Sequence, residues 1–338
     1  MTSTTIDLHD LLTIVLRERL LTEPRFLHSR LLEINDGSTP RTAIPSHVSL
    51  PALDDLPTDL PHVAYFLSDD GSQPDAPVEP ATFMHEDLQR SSPLPYPDLE
   101  LVFWRIRHHD SGFLLAHALQ LVLHALPATT PLRIRTSRGY VLETTAHDFT
   151  IAEAPLTPTS MTYVCKLTKA PGMSSTQFGM TQYLTGTDGD VPWVYVLFGG
   201  SVAASQEKSQ DGRVAVDLIS PLIGLRGLGG ETFVMEKLAD AHDMLPIQWE
   251  PGDLILSGSI VLSPSRRVQA DQAIALSERV LKRLESIQSG QELFCSYCGK
   301  NAPGSQCSAC RKIKYCNAQC QSMGWKYHKR WCKEDKKN

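Results

Sequence analysis

Residues 295–332 read CSYCGKNAPGSQCSACRKIKYCNAQCQSMGWKYHKRWC. Seven cysteines and one histidine stand in this stretch: Cys295, Cys298, Cys307, Cys310, Cys316, Cys320, His328 and Cys332. Their spacing is C-x2-C-x8-C-x2-C-x5-C-x3-C-x7-H-x3-C. Eight ligands fill two tetrahedral sites with none left over, as structural zinc requires. A C-x2-C pair fits a tight turn that aims both sulfurs at one ion, and Gly299 after the second cysteine relieves that turn. Cys316 and Cys320 are four apart, as are His328 and Cys332. Four residues is about one helical turn, so each of these pairs is expected on one helix face. A module of ~40 residues cannot bury enough apolar surface alone, so zinc is expected to supply much of its folding free energy. Spacing leaves open whether the two sites use sequential or interleaved pairs.

Outward from this stretch, the chain divides. Of 338 residues and eight cysteines, only Cys165 lies outside the cluster. Residues 291–338 hold ten Lys or Arg against three Asp or Glu, a formal +7 within a chain of net −6, so the other residues carry −13. A small basic module follows a large acidic body. Seven zinc-bound thiolates and two zinc ions would sum to about −3, leaving a modest positive field, so solvated surface or contact with an acidic protein is favoured over nucleic acid. No run approaches the ~18 apolar residues of a membrane-spanning helix. Residues 1–10 lack a basic region followed by an apolar stretch, so no secretory signal is expected. The expectation is an intracellular protein, in cytoplasm or nucleus, with metal-bound rather than disulfide-bonded cysteines.

The body reads as an α+β fold with an antiparallel or mixed sheet, because strands arrive largely in succession instead of alternating with long helices. Four segments follow: an N-terminal helical segment (1–36), a proline-rich, loop-rich connection (37–98), an α+β body ending in a long helix (99–290) and the zinc module (291–338). In the first, Leu8, Leu11, Leu12 and Val15 make an apolar stripe opposite Asp10, Thr13 and Arg17, and a second short helix is expected at 26–34. Residues 40–97 hold 11 of the 23 prolines and are expected to be irregular, with one strand at 62–67. Strands are expected at 99–107, 161–168, 191–198, 213–219 and 253–262, a helix at 111–126, and a hairpin at 132–144 turning at Ser137-Arg138-Gly139. The long helix would be capped by Ser263 and Pro264 and ended by Gly290, with Ala273, Ile274, Val280, Leu281, Leu284 and Ile287 packed on its own domain.

Residues 295–332 resemble the MYND-type zinc finger, at all eight ligand positions and also at Tyr315, Gln321, Trp325 and Lys329. The resemblance implies interleaved sites: Cys295, Cys298, Cys316 and Cys320 for one zinc, Cys307, Cys310, His328 and Cys332 for the other. It also implies protein binding, often of short proline-rich peptides. The family usually has Asp before the tryptophan, where Gly324 stands here; glycine would cap a short helix carrying His328 more weakly. Trp325 or Tyr327 is the candidate for facing an extended partner peptide, as in other aromatic-lined grooves. A module that folds on its own zinc further implies that Cys316→Ala would unfold the finger and leave the body's circular dichroism largely intact.

Elsewhere the motifs are weak. Gly199-Gly200-Ser201 follows a strand and nearly matches a nucleophile elbow, with Asp217 and His242 in hydrolase order, but the last glycine is missing. Gly224, Gly227, Gly229 and Gly230 fit neither phosphate-binding fingerprint and read as a flexible loop. His108 and His109 point in different directions, and His117 and His124 lie ~10 Å apart along a helix, too far for one metal. Cys165 reads as a core residue. The sequence therefore points to a zinc-binding adaptor or regulatory protein without a recognised catalytic site. An enzyme with a site at Ser201 and a nucleic-acid-associated transcriptional regulator are the alternatives, and the oligomeric state is open.

Overall fold

The computed structural model describes residues 5–44, 48–54, 61–69, 77–156, 160–168, 179–185, 191–199, 212–244, 255–257 and 267–337. In chain order, the first half holds β1 (Ile6–Asp7), α1 (Leu8–Thr22), β2 (Arg30–Asn35), α2 (Pro51–Asp54), β3 (His62–Asp69), α3 (Glu86–Ser91), α4 (Tyr96–Arg107) and α5 (Gly112–Ala125). Then come β4 (Pro131–Arg135), β5 (Val141–Thr145), β6 (Phe149–Leu156), β7 (Met161–Thr168), β8 (Gly179–Thr185), β9 (Val191–Phe198), β10 (Val214–Asp217) and β11 (Val234–Lys237). The chain ends with α6 (Leu238–Met244), β12 (Ile255–Ser257), α7 (Arg267–Gln288), β13 (Ser305–Gln306), β14 (Lys314–Tyr315) and α8 (Ala318–Lys337).

These elements form two compact units, neither continuous in sequence: Met1–Thr22, Asp110–Pro155 and Pro192–Asn338 make the first; Glu23–His109 and Leu156–Val191 make the second. The fold is α+β with mixed sheets. In the second unit a sheet of order β2-β3-β7-β8 joins β3 and β7 in parallel, and its other ladders are antiparallel. Ile44, Leu50, Ala64, Phe66, Tyr163 and Cys165 share one buried cluster, so part of the proline-rich stretch packs on this sheet and Cys165 is core. Glu33 anchors that stretch by accepting from Thr42 N and Oγ1 at 2.8 and 2.7 Å.

The first unit has a five-stranded sheet (β11-β10-β9-β6-β12) and a three-stranded one (β1-β4-β5), whose β1 runs parallel to β4. Helix α1 packs against α5, α7 and β4. Leu8, Leu11, Leu12 and Val15 are fully buried, as their stripe implies. Thr13 and Arg17, on its polar face, are buried as well. Helix α7 packs on α5 and α1 through Ala270, Ala273, Leu276, Val280 and Leu284, whereas Ile274 lies off that face, 45% exposed. Gly290, at φ +74°, ends α7. The Gln291 N–H donates to Ser286 O at 2.9 Å and the Gly290 N–H to Ile287 O at 3.0 Å, the paired bonds of a left-handed glycine stop.

Several elements differ from the sequence expectation, α3 (Glu86–Ser91) being a helix in a stretch expected to be irregular. Residues 30–35 form β2, not part of a helix: the short run Leu31-Leu32 and Ile34 carries no decisive period, and β3 supplies a ladder of partners. Residues 96–107 form α4, not a strand. Pro95 and Pro97 flank its first turn, where proline suits a helix, and Leu99, Phe103 and Ile106 are buried at helical spacing. Ser263 and Pro264 lie outside the described residues, as do residues 258–262 of the expected strand after β12.

Candidate metal centre

Both C-x2-C pairs sit in the same kind of turn. The Gly299 N–H donates to Cys295 O at 2.8 Å, and the Arg311 N–H to Cys307 O at 2.9 Å. The residue after each second cysteine takes a left-handed conformation, Gly299 at φ +70° and Arg311 at φ +60°. Arg311 is exposed. Gly299 lies against α1: a Cβ there would stand 2.6 Å from Arg17 Cβ and 2.9 Å from the Thr13 carbonyl oxygen. The second turn tolerates a side chain where the first does not.

The four-residue pairs are arranged differently from each other. Cys320 Sγ, His328 and Cys332 belong to one continuous helix, α8, which Asn317 caps by accepting from Cys320 N at 3.0 Å. Cys316 precedes that cap, so the Cys316/Cys320 pair spans a helix start instead of one helix face. Gly324 is inside α8 and caps nothing: a Cβ there would meet Tyr315 Cε1 at 3.1 Å and Tyr297 Cβ at 3.4 Å, so the missing side chain lets α8 lie close to those rings.

The ligand atoms gather in two groups, Cys295/Cys298/Cys316/Cys320 and Cys307/Cys310/His328/Cys332, each within 4.8 Å. Zinc–sulfur bonds of ~2.3 Å at tetrahedral angles require sulfurs ~3.8 Å apart, and a sulfur–nitrogen pair ~3.5 Å apart. Cys298–Cys316 and Cys298–Cys320 are 3.6 and 3.8 Å apart, Cys307–Cys332 is 3.8 Å, and Cys310 Sγ lies 3.4 Å from His328 Nε2. Donor set and spacing thus fit two structural zinc ions, bound by interleaved pairs. The thiols shift one another: Cys298 is pulled down by the neighbouring Cys295 thiol and Cys316 by Cys298, while burial and Cys307 push Cys332 up to about 12. A divalent ion favours the thiolate form of its cysteine ligands. The sulfurs also make up the core, where Cys295, Cys307, Cys310, Cys320 and Cys332 pack around Tyr315.

Residues 295–332 match the family model of the MYND finger. The segment is a MYND finger. No solved structure matches the chain. The finger covers about a ninth of the chain.

Its closed four-ligand sites leave no coordination position for a substrate, so this finger's zinc is structural. The two aromatic candidates separate. Trp325 is 41% exposed on the outer face of α8, among the exposed Lys326, Lys329, Arg330 and Lys333. Tyr327 is 6% exposed, its ring stacked on His9 at 3.9 Å. Trp331 is buried too, under the Arg135 guanidinium at 5.5 Å.

The finger is seated within the first unit by an arginine the sequence did not single out and by glycines it read as a flexible loop. Arg283 of α7 donates to Glu18 Oε1 at 3.1 Å and Glu292 Oε1 at 2.8 Å, and also to Gly299 O and Asn301. The glycine-rich stretch at 224–230 is the body's side of the seam. Arg226 donates to Gly230 O at 3.2 Å and Tyr297 Oη at 3.3 Å. A Cβ on Gly229 would stand 2.7 Å from Tyr327 Cβ, and one on Gly230 (φ +91°) 3.1 Å from Met323 O. These glycines admit a close approach. The four glycines within 224–230 were the available signal, since cofactor-like spacing is only one reason to omit side chains.

Among the described residues, the remaining candidates are engaged in packing and hydrogen bonds. Ser201 lies outside the described residues. Asp217 is buried, accepting from Trp193 Nε1 at 3.0 Å and Ile219 N at 2.8 Å, and burial raises it to about 7. His108 stacks on Trp104, His109 packs edge-on to Tyr183, and His124 meets His147 and Phe149.

Proposed function

We infer that this chain is an adaptor or regulatory protein whose MYND finger holds a partner protein through the outer face of α8, with an extended proline-rich peptide as the ligand class. MYND fingers are non-enzymatic, zinc-dependent interaction modules, and two closed metal sites agree with a scaffold role. The observation that carries the reading is Trp325: of the six aromatic residues in 291–338, it is the one that is exposed. A flat indole offers an extended peptide its broad apolar face. The surrounding lysines and arginine favour a partner with acidic residues beside its prolines. Reduced, metal-held cysteines suit an intracellular setting, cytoplasmic or nuclear.

The test is a panel of immobilised proline-rich peptides, with and without flanking acidic residues, probed with the full chain. Retention by the wild type, lost at least tenfold in Trp325→Ala at unchanged zinc content, is the expected result. Equal retention by Trp325→Ala would remove this face from consideration. Loss in Cys316→Ala alone would show only that the finger must fold.

A further inference from the structure

The seam between finger and body encloses a cavity within the first unit of about 30 Å³, room for two or three water-sized groups. Its polar lining is unbalanced. Asp7, Asp10 and Glu231 bring three carboxylates, while Arg135 is engaged by Asp7, whose Oδ2 accepts from its Nε at 2.9 Å and its Nη2 at 2.7 Å. Glu231 is 8% exposed. One of its oxygens accepts from Ser137 Oγ at 2.9 Å, and the other has no hydrogen-bond partner among the described residues. Tyr315 and Tyr327, both over nine-tenths buried, also line the cavity, and their hydroxyls have no hydrogen-bond partner among the described residues.

Three such buried polar atoms, on residues that line one small space, need something to meet them, because an unmade buried hydrogen bond is costly. Burial first, and then the nearby Asp10, push Asp7 up, while Arg135 and His9 act against that. The walls are aromatic: the His9 ring stacks on Tyr327, and Phe233 meets it edge-on at 5.3 Å. Carboxylates with ring faces are the surroundings that suit an organic cation.

We propose that this cavity is a binding site for the cationic head group of a basic side chain, a guanidinium or an ammonium, with Glu231 as its charge partner and the Tyr315 and Tyr327 hydroxyls as further acceptors. The site goes beyond the Trp325 reading and stands on different residues. It would give the finger–body seam a specificity for basic side chains that the finger alone lacks, because Asp7, Asp10 and Glu231 all come from the body.

The experiment is ligand-observed saturation-transfer NMR on the zinc-loaded full chain at fixed ionic strength. Methylguanidinium and methylammonium stand for the two kinds of side chain, and neutral N-methylurea is the shape control. Saturable binding of at least one cation is expected, weakened about tenfold in Glu231→Gln and severalfold in Tyr327→Phe, and unchanged in Trp325→Ala. N-methylurea should not compete. A cavity that holds ordered water only would give no saturable signal from either cation up to tens of millimolar, and that overturns the proposal. Equal binding by N-methylurea, or full binding by a zinc-loaded Glu231→Gln, overturns it as well. If Glu231→Gln does not retain two zinc ions, Tyr315→Phe takes its place: weakened binding supports the site, and unchanged binding refutes it.

Discussion

Gly299→Ala measures how firmly the finger is seated on α1, and Gly290→Ala supplies its internal control. Both glycines are left-handed, at φ +70° and +74°. Alanine in that conformation costs ~1–2 kcal/mol, offset by ~0.4–1 kcal/mol from the stiffer unfolded chain. A Cβ on Gly290 meets nothing within 4 Å, so Gly290→Ala should cost only this balance, about 1 kcal/mol. A Cβ on Gly299 would lie 2.6 Å from Arg17 Cβ and 2.9 Å from Thr13 O. Carbon atoms prefer separations of about 3.5–4.0 Å, and neither α1 atom can rotate away, since both are placed by the helix backbone. The finger must lift by about 1 Å or α1 must bend, an overpacking cost of ~1–3 kcal/mol. Gly299→Ala should therefore cost ~2–4 kcal/mol in all. The assay is urea unfolding of the full chain at saturating zinc, with zinc stoichiometry checked in both variants. If the two substitutions agree within ~0.5 kcal/mol, the close approach of finger to α1 is refuted.

Three further outcomes follow from the same packing. Arg283→Met breaks a buried cluster and should cost about 3 kcal/mol by urea unfolding, partly recovered in Arg283→Met/Glu18→Met; a double variant no better than the single would show that the ion pair is not the stabilising element. Removing zinc, by chelation or through Cys316→Ala, should lower the melting temperature of the first unit and not merely unfold a detached module, because Thr13 and Arg17 lose their cover; circular dichroism melting with zinc analysis decides it. Asp217 has a raised folded pKa of about 7, so its protonated form is favoured by folding and its contribution is complete below the unfolded value near 3.8. That contribution is lost as pH rises towards 7, and wild type should lose on the order of 3 kcal/mol relative to Asp217→Asn between about pH 5 and pH 8; a flat difference would refute the burial.

The finger was legible in the sequence because metal ligation is a local, discrete code. Eight ligands at fixed spacing admit few geometries, and the structure gathers those eight. The spacing was less informative about the elements that carry them. It suggested a helix pair at Cys316 and Cys320 and a cap at position 324, whereas Asn317 caps the helix and Gly324 sits inside it. In the body, strong periods and turn residues were readable: residues 161–168 and 191–198, the hairpin at Gly139, and the Gly290 stop. Short apolar runs were not. Leu31-Leu32 and Leu99–Arg107 satisfy helix and strand templates alike until partners are known.

The sequence by itself determined the chemistry of the metal sites, the polarity of the two parts of the chain and the α+β class. These depend on residue identity and short-range spacing, which folding does not alter. Tertiary structure alone decided what the finger rests on. The polar face of α1, the glycine-rich loop at 224–230 and Tyr327 each looked open to solvent or to a partner, and each is covered by the seam between finger and body. Burial depends on which distant segment arrives, through pairs such as Gly299 and Arg17 or His9 and Tyr327, separated by hundreds of residues and marked by no local pattern. Trp325 alone among the finger's aromatic residues is left exposed, and only the packed chain could single it out.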